Sequence, residues 1–125
     1  MNTTQNAARK ILLVEDEYLI RMLLEDMLSD LGYTVAGAAS TVAEAVELAK
    51  KETFDLAILD VNLDGEEVYP VAEVLTARKL PFVFVTGYGG SGLPEKYRSR
   101  PTLQKPFQME DLAKTLAATL AGEKP

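Results

Sequence analysis

The sequence predicts an α/β fold, a doubly wound parallel sheet covered on both faces by helices. Three observations predict it. Short apolar runs alternate along the chain with stretches whose apolar residues recur at helical spacing. The runs are too short for buried helices and apolar enough for strands buried on both faces. They also end, one after another, in residues that carry chemistry: "ILLVED", "LAILD", "FVFVT" and "LQK".

Taken in order, "KILLV" is a first buried strand, closed off by Glu15, Asp16 and Glu17. Over residues 18–31, Leu19, Ile20, Leu23, Leu24, Met27, Leu28 and Leu31 mark a helix, and Gly32 is a fitting stop. "YTVAGAA" is a less apolar second strand, suited to a sheet edge. Thr41 and Glu44 form a capping box for a helix through Lys51, with Val42, Ala45, Val46 and Ala49 inward. "FDLAILD" is the third strand, ending in Asp60. Residues 68–78 form the next helix, with Pro70 in its first turn, where a missing N–H costs nothing. "PFVFVT" is the fourth strand and "PTLQK" a shorter fifth. Residues 109–120 form a last amphipathic helix. Residues 1–9 read as a polar leader, 10–121 as one domain and 122–125 as a tail.

Composition narrows the chemistry. A chain of 125 residues, 47% hydrophobic and 26% charged, suits one soluble domain. No apolar run approaches the ~20 residues that span a bilayer, so no membrane association is expected. The N-terminus lacks the apolar centre of a secretory signal. With no cysteine there is no disulfide, thiolate ligand or thiol nucleophile, which fits a cytoplasmic setting. With no histidine the usual general base is missing too. A net charge of −6 argues against nucleic-acid binding. Any chemistry here runs on carboxylates, hydroxyls, lysine or arginine.

In doubly wound sheets, ligands bind beyond the carboxyl ends of the strands. That rule gathers Glu15, Asp16, Asp60, Thr86 and Lys105 into one site, if the first and third strands are neighbours. Carboxylates a few ångströms apart repel by about 4 kcal/mol per pair at an effective dielectric near 20. A divalent cation reverses that sign, and Mg²⁺ needs only two carboxylates and a carbonyl because it keeps several waters. Lys105 supplies a mobile point charge and Thr86 a hydroxyl donor. A metal, a cation and a hydroxyl around one carboxylate suit phosphoryl transfer to that carboxylate. An acid run after a strand is by itself commonly a solvated loop. The coincidence of four strand ends favours function, since no folding rule demands it.

"ILLVEDE", "LAILDVNL", "FVFVTG" and "LQKPF", in this order, resemble the receiver domain of two-component response regulators, over about residues 10–120. The resemblance implies a flavodoxin-like fold with strand order 2-1-3-4-5. It implies that Asp60 accepts a phosphoryl group from a histidine kinase or a histidine phosphotransfer protein. Asp16 would hold Mg²⁺ directly and Glu15 through water, with Asp60 and the Asn62 backbone carbonyl as further ligands. Thr86 would bind a phosphoryl oxygen, and Lys105 would pair with the phosphate. The Lys105–Pro106 bond is expected cis, and Asn62 and Tyr88 are expected to tune hydrolysis.

Three departures stand out. "DVNLDGEE" lacks the family's usual proline, and Gly65 comes early, so the loop after Asp60 is expected to be short. Thr102 stands where an aromatic switch residue is usual. Residues 87–104, "GYGGSGLPEKYRSRPTLQ", are too rich in glycine for the family's fourth helix, leaving at most a turn or two within residues 94–99. "PFVFVTGYG" is similar to a subgroup of stand-alone regulators named for a Phe-Ala-Thr-Gly-containing motif and associated with general stress signalling, with Val85 replacing the alanine. The expected function is a single-domain regulator that catalyses its own phosphorylation and dephosphorylation, turns over no external substrate and signals through an output protein. Residues 87–99 are expected to order on phosphorylation, with Tyr88 or Tyr97 replacing the missing ring. The alternatives are a phosphate reservoir for a kinase and, in another class, a Mg²⁺-dependent phosphatase. Asn62 argues against the latter, because such enzymes commonly place an acid–base aspartate there.

Overall fold

The computed structural model describes residues 9–63, 65–87 and 93–122. Its main sheet contains β1 (Lys10–Val14), β2 (Thr34–Ala39), β3 (Leu56–Asp60), β6 (Phe82–Thr86) and β7 (Thr102–Gln104). They lie in the order β2-β1-β3-β6-β7, every neighbouring pair parallel. Counting these strands alone, the order is 2-1-3-4-5, the flavodoxin-like arrangement. Helices α1 (Tyr18–Asp30), α2 (Val42–Lys51), α3 (Tyr69–Ala77) and α4 (Met109–Leu120) connect and cover them.

Strand alternation divides the core into two layers. Leu12, Val14, Ala57, Leu59, Phe82 and Phe84 point toward α2 and α3, meeting Ala45, Ala49, Val71 and Leu75. Ile11, Leu13, Ile58, Val83, Val85 and Leu103 point the other way, against Leu24 and Leu28 of α1 and Leu112 and Leu116 of α4. The near-continuous apolar runs thus fill both faces at once. β3, in the middle, is buried along its whole length, Asp60 included.

Helix ends follow local chemistry. Gly32 takes φ 92° after α1, a left-handed conformation that glycine adopts freely. Thr41 Oγ1 accepts from the Glu44 N–H at 3.1 Å, as the cap requires. The Glu44 carboxylate, however, accepts from the Ser40 N–H at 3.0 Å, not from that of Thr41, so the expected box is shifted by one residue. At the start of α4 the Asp111 carboxylate accepts from the Gln108 N–H at 2.9 Å, a cap that the sequence reading did not mark.

Three features differ from or sharpen the sequence expectations. The loop after Asp60 is not merely short. It folds into an antiparallel ribbon of β4 (Asn62–Leu63) and β5 (Glu66–Glu67). Gly65 turns the chain at φ 89°, and its N–H donates to Asn62 Oδ1 at 2.8 Å. Next, the apolar stripe of α1 is wider than its core-facing face, leaving Tyr18, Leu19 and Leu23 exposed. Finally, where the family's fourth helix would lie, the described residues form a 3-10 turn, Glu95–Tyr97. Leu93 and Tyr97 are buried, and the Tyr97 ring stacks on Tyr69 at 5.5 Å and meets Phe84 edge-on at 5.4 Å. The expectations for Tyr88 lie outside the described residues.

Candidate functional site

The site is built from strand tips that backbone hydrogen bonds hold level. Asp60 at the end of β3 pairs in register with Val85 of β6, one residue before Thr86. Val61 N–H donates to Val85 O at 3.0 Å, and Lys105 N–H to Thr86 O at 2.8 Å. Glu15 N–H donates to Ala39 O at 3.0 Å, which ties the acidic run to the tip of β2. The sequence thus brings acid, hydroxyl and amine to one rim because each follows a buried parallel strand of matched register.

Carboxylate oxygens of Glu15, Asp16 and Asp60 lie within 4.8 Å of one another. Glu15 and Asp60 are buried, and Asp16 is half-buried. Lys105 Nζ stands 3.3 Å from Asp60 Oδ2 and 3.7 Å from Glu15 Oε1. Asp60 Oδ1 accepts from the Asn62 N–H at 3.2 Å, and Glu15 Oε2 from the Glu17 N–H at 3.1 Å. Thr86, the end residue of β6, is buried beside them. The cis bond expected at Lys105–Pro106 is present.

The electrostatics are those of an overcharged pocket. Burial, then the neighbouring Asp60 carboxylate, pushes the Glu15 pKa up from 4.5 to about 7. Burial alone would lower the Lys105 ammonium, but Asp60, Glu15 and Glu17 outweigh it and hold the pKa above the ordinary lysine value. Among the described residues, one cation therefore serves three acids. Glu15 Oε1 is buried and has no hydrogen-bond partner among the described residues. A buried carboxylate oxygen without a donor is costly, and a cation with oxygen-preferring coordination is what this donor set fits.

Of the residues singled out in the sequence, Glu15, Asp16, Asp60, Asn62, Thr86 and Lys105 converge here, while Tyr88 lies outside the described residues. The Asn62 side chain is committed to the Gly65 turn. The sequence reading missed that role, although Asp64-Gly65 between short runs is a hairpin signal.

The profile of the response regulator receiver domain matches residues 11–117. The chain belongs to this family. The receiver is 38% identical over 108 residues to the transcriptional regulatory protein PdtaR of Mycobacterium tuberculosis, covering 83% of this chain and 53% of PdtaR. It thus spans about half the length of that curated relative. Among solved structures it is similar to SdrG from Sphingomonas melonis Fr1, at 51% identity and TM-score 0.81, covering 91% of this chain and 98% of SdrG. SdrG of Pseudomonas melonis Fr1 in its BeF3-activated conformation is 52% identical, with TM-score 0.77 and coverage of 89% and 95%. The receiver domain of the sensor histidine kinase PA1611 from Pseudomonas aeruginosa PAO1, with magnesium coordinated in its active-site cleft, is 27% identical. Its TM-score is 0.79, and the match covers 90% of this chain and 98% of that one. Receiver domains act in phosphorylation-dependent signalling and bind Mg²⁺ at an acidic site.

Proposed function

We propose that this receiver takes a phosphoryl group onto Asp60 from a phosphohistidine donor, a histidine kinase or histidine phosphotransfer protein, and signals through an output protein. The observation that carries the reading is one buried rim holding three carboxylates, with Lys105 bound to the middle one. Glu15, Asp16, Asp60 and the Asn62 backbone carbonyl would hold Mg²⁺. The bound ion would offset the repulsion among the acids and neutralise charge on the transferring group.

The chain's own residues do the rest. An Asp60 carboxylate oxygen forms the new O–P bond as the donor's N–P bond breaks, and the electron pair stays on the imidazole nitrogen. Lys105, poised at 3.3 Å from Asp60 Oδ2, keeps its positive charge beside the acquired phosphate. The Asn62 N–H fixes the orientation of the Asp60 carboxylate through Oδ1, leaving the Lys105 side for reaction. Thr86, held at the tip of β6, offers its hydroxyl to a phosphoryl oxygen. Asn62 and Tyr88 are the positions from which the hydrolysis rate would be tuned. The resemblance of "PFVFVTGYG" to the stand-alone stress-signalling subgroup supports a role in stress response.

Addition of beryllofluoride with Mg²⁺ tests the reading. Amide resonances around Asp60, Thr86 and Lys105 should shift in the wild type and stay still in Asp60→Ala. Equal shifts in both proteins would reject Asp60 as the acceptor.

A further inference from the structure

The ribbon of β4 and β5 stands between the phosphoacceptor and α3, and it is anchored at both strands. Leu63 and Val68 are buried in the core layer that faces α2 and α3. The Val68 N–H donates to Val61 O at 3.0 Å and closes the base. Asn62 pairs with Glu67 and Leu63 with Glu66, so the register is fixed from base to tip. At the tip Gly65 takes φ 89°, and its N–H donates to Asn62 Oδ1 at 2.8 Å.

This register decides where the Asn62 backbone points. Opposed residues of an antiparallel ribbon alternate between hydrogen-bonded and non-hydrogen-bonded pairs. The bond from Val68 to Val61 makes that pair hydrogen-bonded, so Asn62 and Glu67 form the other kind. In a strand, the N–H and C=O of one residue leave by the same edge. At Asn62 that edge faces away from Glu67, and its N–H reaches Asp60 Oδ1 at 3.2 Å. Its carbonyl is therefore turned to the side of the acidic rim as well. A slip of one residue would exchange the two kinds of pair and aim both groups at β5 instead.

We propose that Gly65 is a positioning residue of the metal site: its left-handed turn, locked by the Asn62 side chain, holds the register that aims the Asn62 N–H and carbonyl at the rim, and so sets the affinity for Mg²⁺. The proposal rests on the reading of Glu15, Asp16, Asp60 and the Asn62 carbonyl as Mg²⁺ ligands, a set to which Gly65 does not belong. A Cβ added at Gly65 would meet nothing within 4 Å. Alanine there changes the backbone preference alone, because a residue with a Cβ disfavours the left-handed conformation. The metal-free turn would relax, and cation binding would have to rebuild it. Apparent affinity then falls with the fraction of protein that keeps the turn.

The test titrates the whole chain, isotopically labelled, with magnesium chloride and follows the amide resonances of Glu15, Asp16, Asp60 and Asn62. Gly65→Ala should raise the dissociation constant about tenfold. Gly65→Asn should stay within about twofold of the wild type, since asparagine tolerates the left-handed region. Both variants are read in buffer where circular dichroism shows them fully folded, so a general loss of stability does not move the constant. If Gly65→Ala does not fold, Asn62→Ala carries the test and should show the same weakening, because it removes the lock and leaves every backbone group in place. Saturable wild-type shifts with Gly65→Ala binding as tightly would overturn the proposal and leave the metal reading intact. Equal weakening in Gly65→Ala and Gly65→Asn would overturn it too. A wild type without saturable shifts would overturn both the proposal and the metal reading.

Discussion

Replacing Glu15 by glutamine tests the electrostatic account of the rim. The side chain is 1% exposed, and burial with Asp60 beside it lifts its pKa from 4.5 to about 7. At about 1.4 kcal/mol for each tenfold shift in the proton equilibrium, ionising it in the fold costs about 3 kcal/mol. The folded-state pKa is above the unfolded one. The penalty is therefore absent below 4.5, grows as pH rises toward 7, and is complete above it. Glutamine keeps the shape and does not titrate. In metal-free buffer, Glu15→Gln should match the wild type at acid pH and exceed it by about 3 kcal/mol near pH 8. Urea unfolding with a chelator, repeated across that range, reads the difference through the midpoint at constant slope. Mg²⁺ at a hundredfold its dissociation constant stabilises by about 2.7 kcal/mol, so it should nearly cancel the variant's advantage at alkaline pH if the wild type alone binds it well. A difference between the two proteins that does not change with pH would refute the reasoning.

Further consequences follow for the frame around the site. Tyr97→Ala removes a ring 4% exposed and packed on Tyr69, Phe82 and Phe84. It should cost about 3–5 kcal/mol in chemical denaturation, and a loss below about 1 kcal/mol would show that the 3-10 turn is not anchored by this ring. Lys79 has φ 61°, so Lys79→Gly should raise stability by about 1 kcal/mol, measured the same way. Asn62→Ala removes the acceptor of the Gly65 N–H. It should speed hydrogen exchange at that amide and weaken the ribbon by about 1 kcal/mol, whereas unchanged protection would contradict the turn's role.

Much of this architecture was legible because the main-sheet strands are buried on both sides. "ILLV", "LAIL" and "FVFV" carry no alternation, and each stops abruptly at a polar residue, so both the strand and its carboxyl end could be read together. The convergence of Glu15, Asp60, Thr86 and Lys105 then followed from the parallel order. Two things were not readable. The β4–β5 ribbon has strands of two residues each, too short for any periodicity to register. The outward turn of Leu19 and Leu23 was hidden because helical spacing gives the width of an apolar stripe but not which part of it meets the sheet. The short 3-10 turn at Glu95–Tyr97, in contrast, agrees with the glycine-rich sequence that precedes it. Leu93 and Tyr97 bury themselves even so, because the sheet face above Phe82 and Phe84 still needs cover.

All of the functional reasoning rests on one bond, between an Asp60 oxygen and phosphorus. Intact mass measurement after incubation with acetyl phosphate and Mg²⁺ tests it directly. The wild type should gain the mass of a single phosphoryl group, lose it under alkaline hydroxylamine, and gain nothing when the metal is chelated; Asp60→Ala should stay unmodified throughout. A folded Asp60→Ala protein that takes up the group as readily as the wild type would contradict the account.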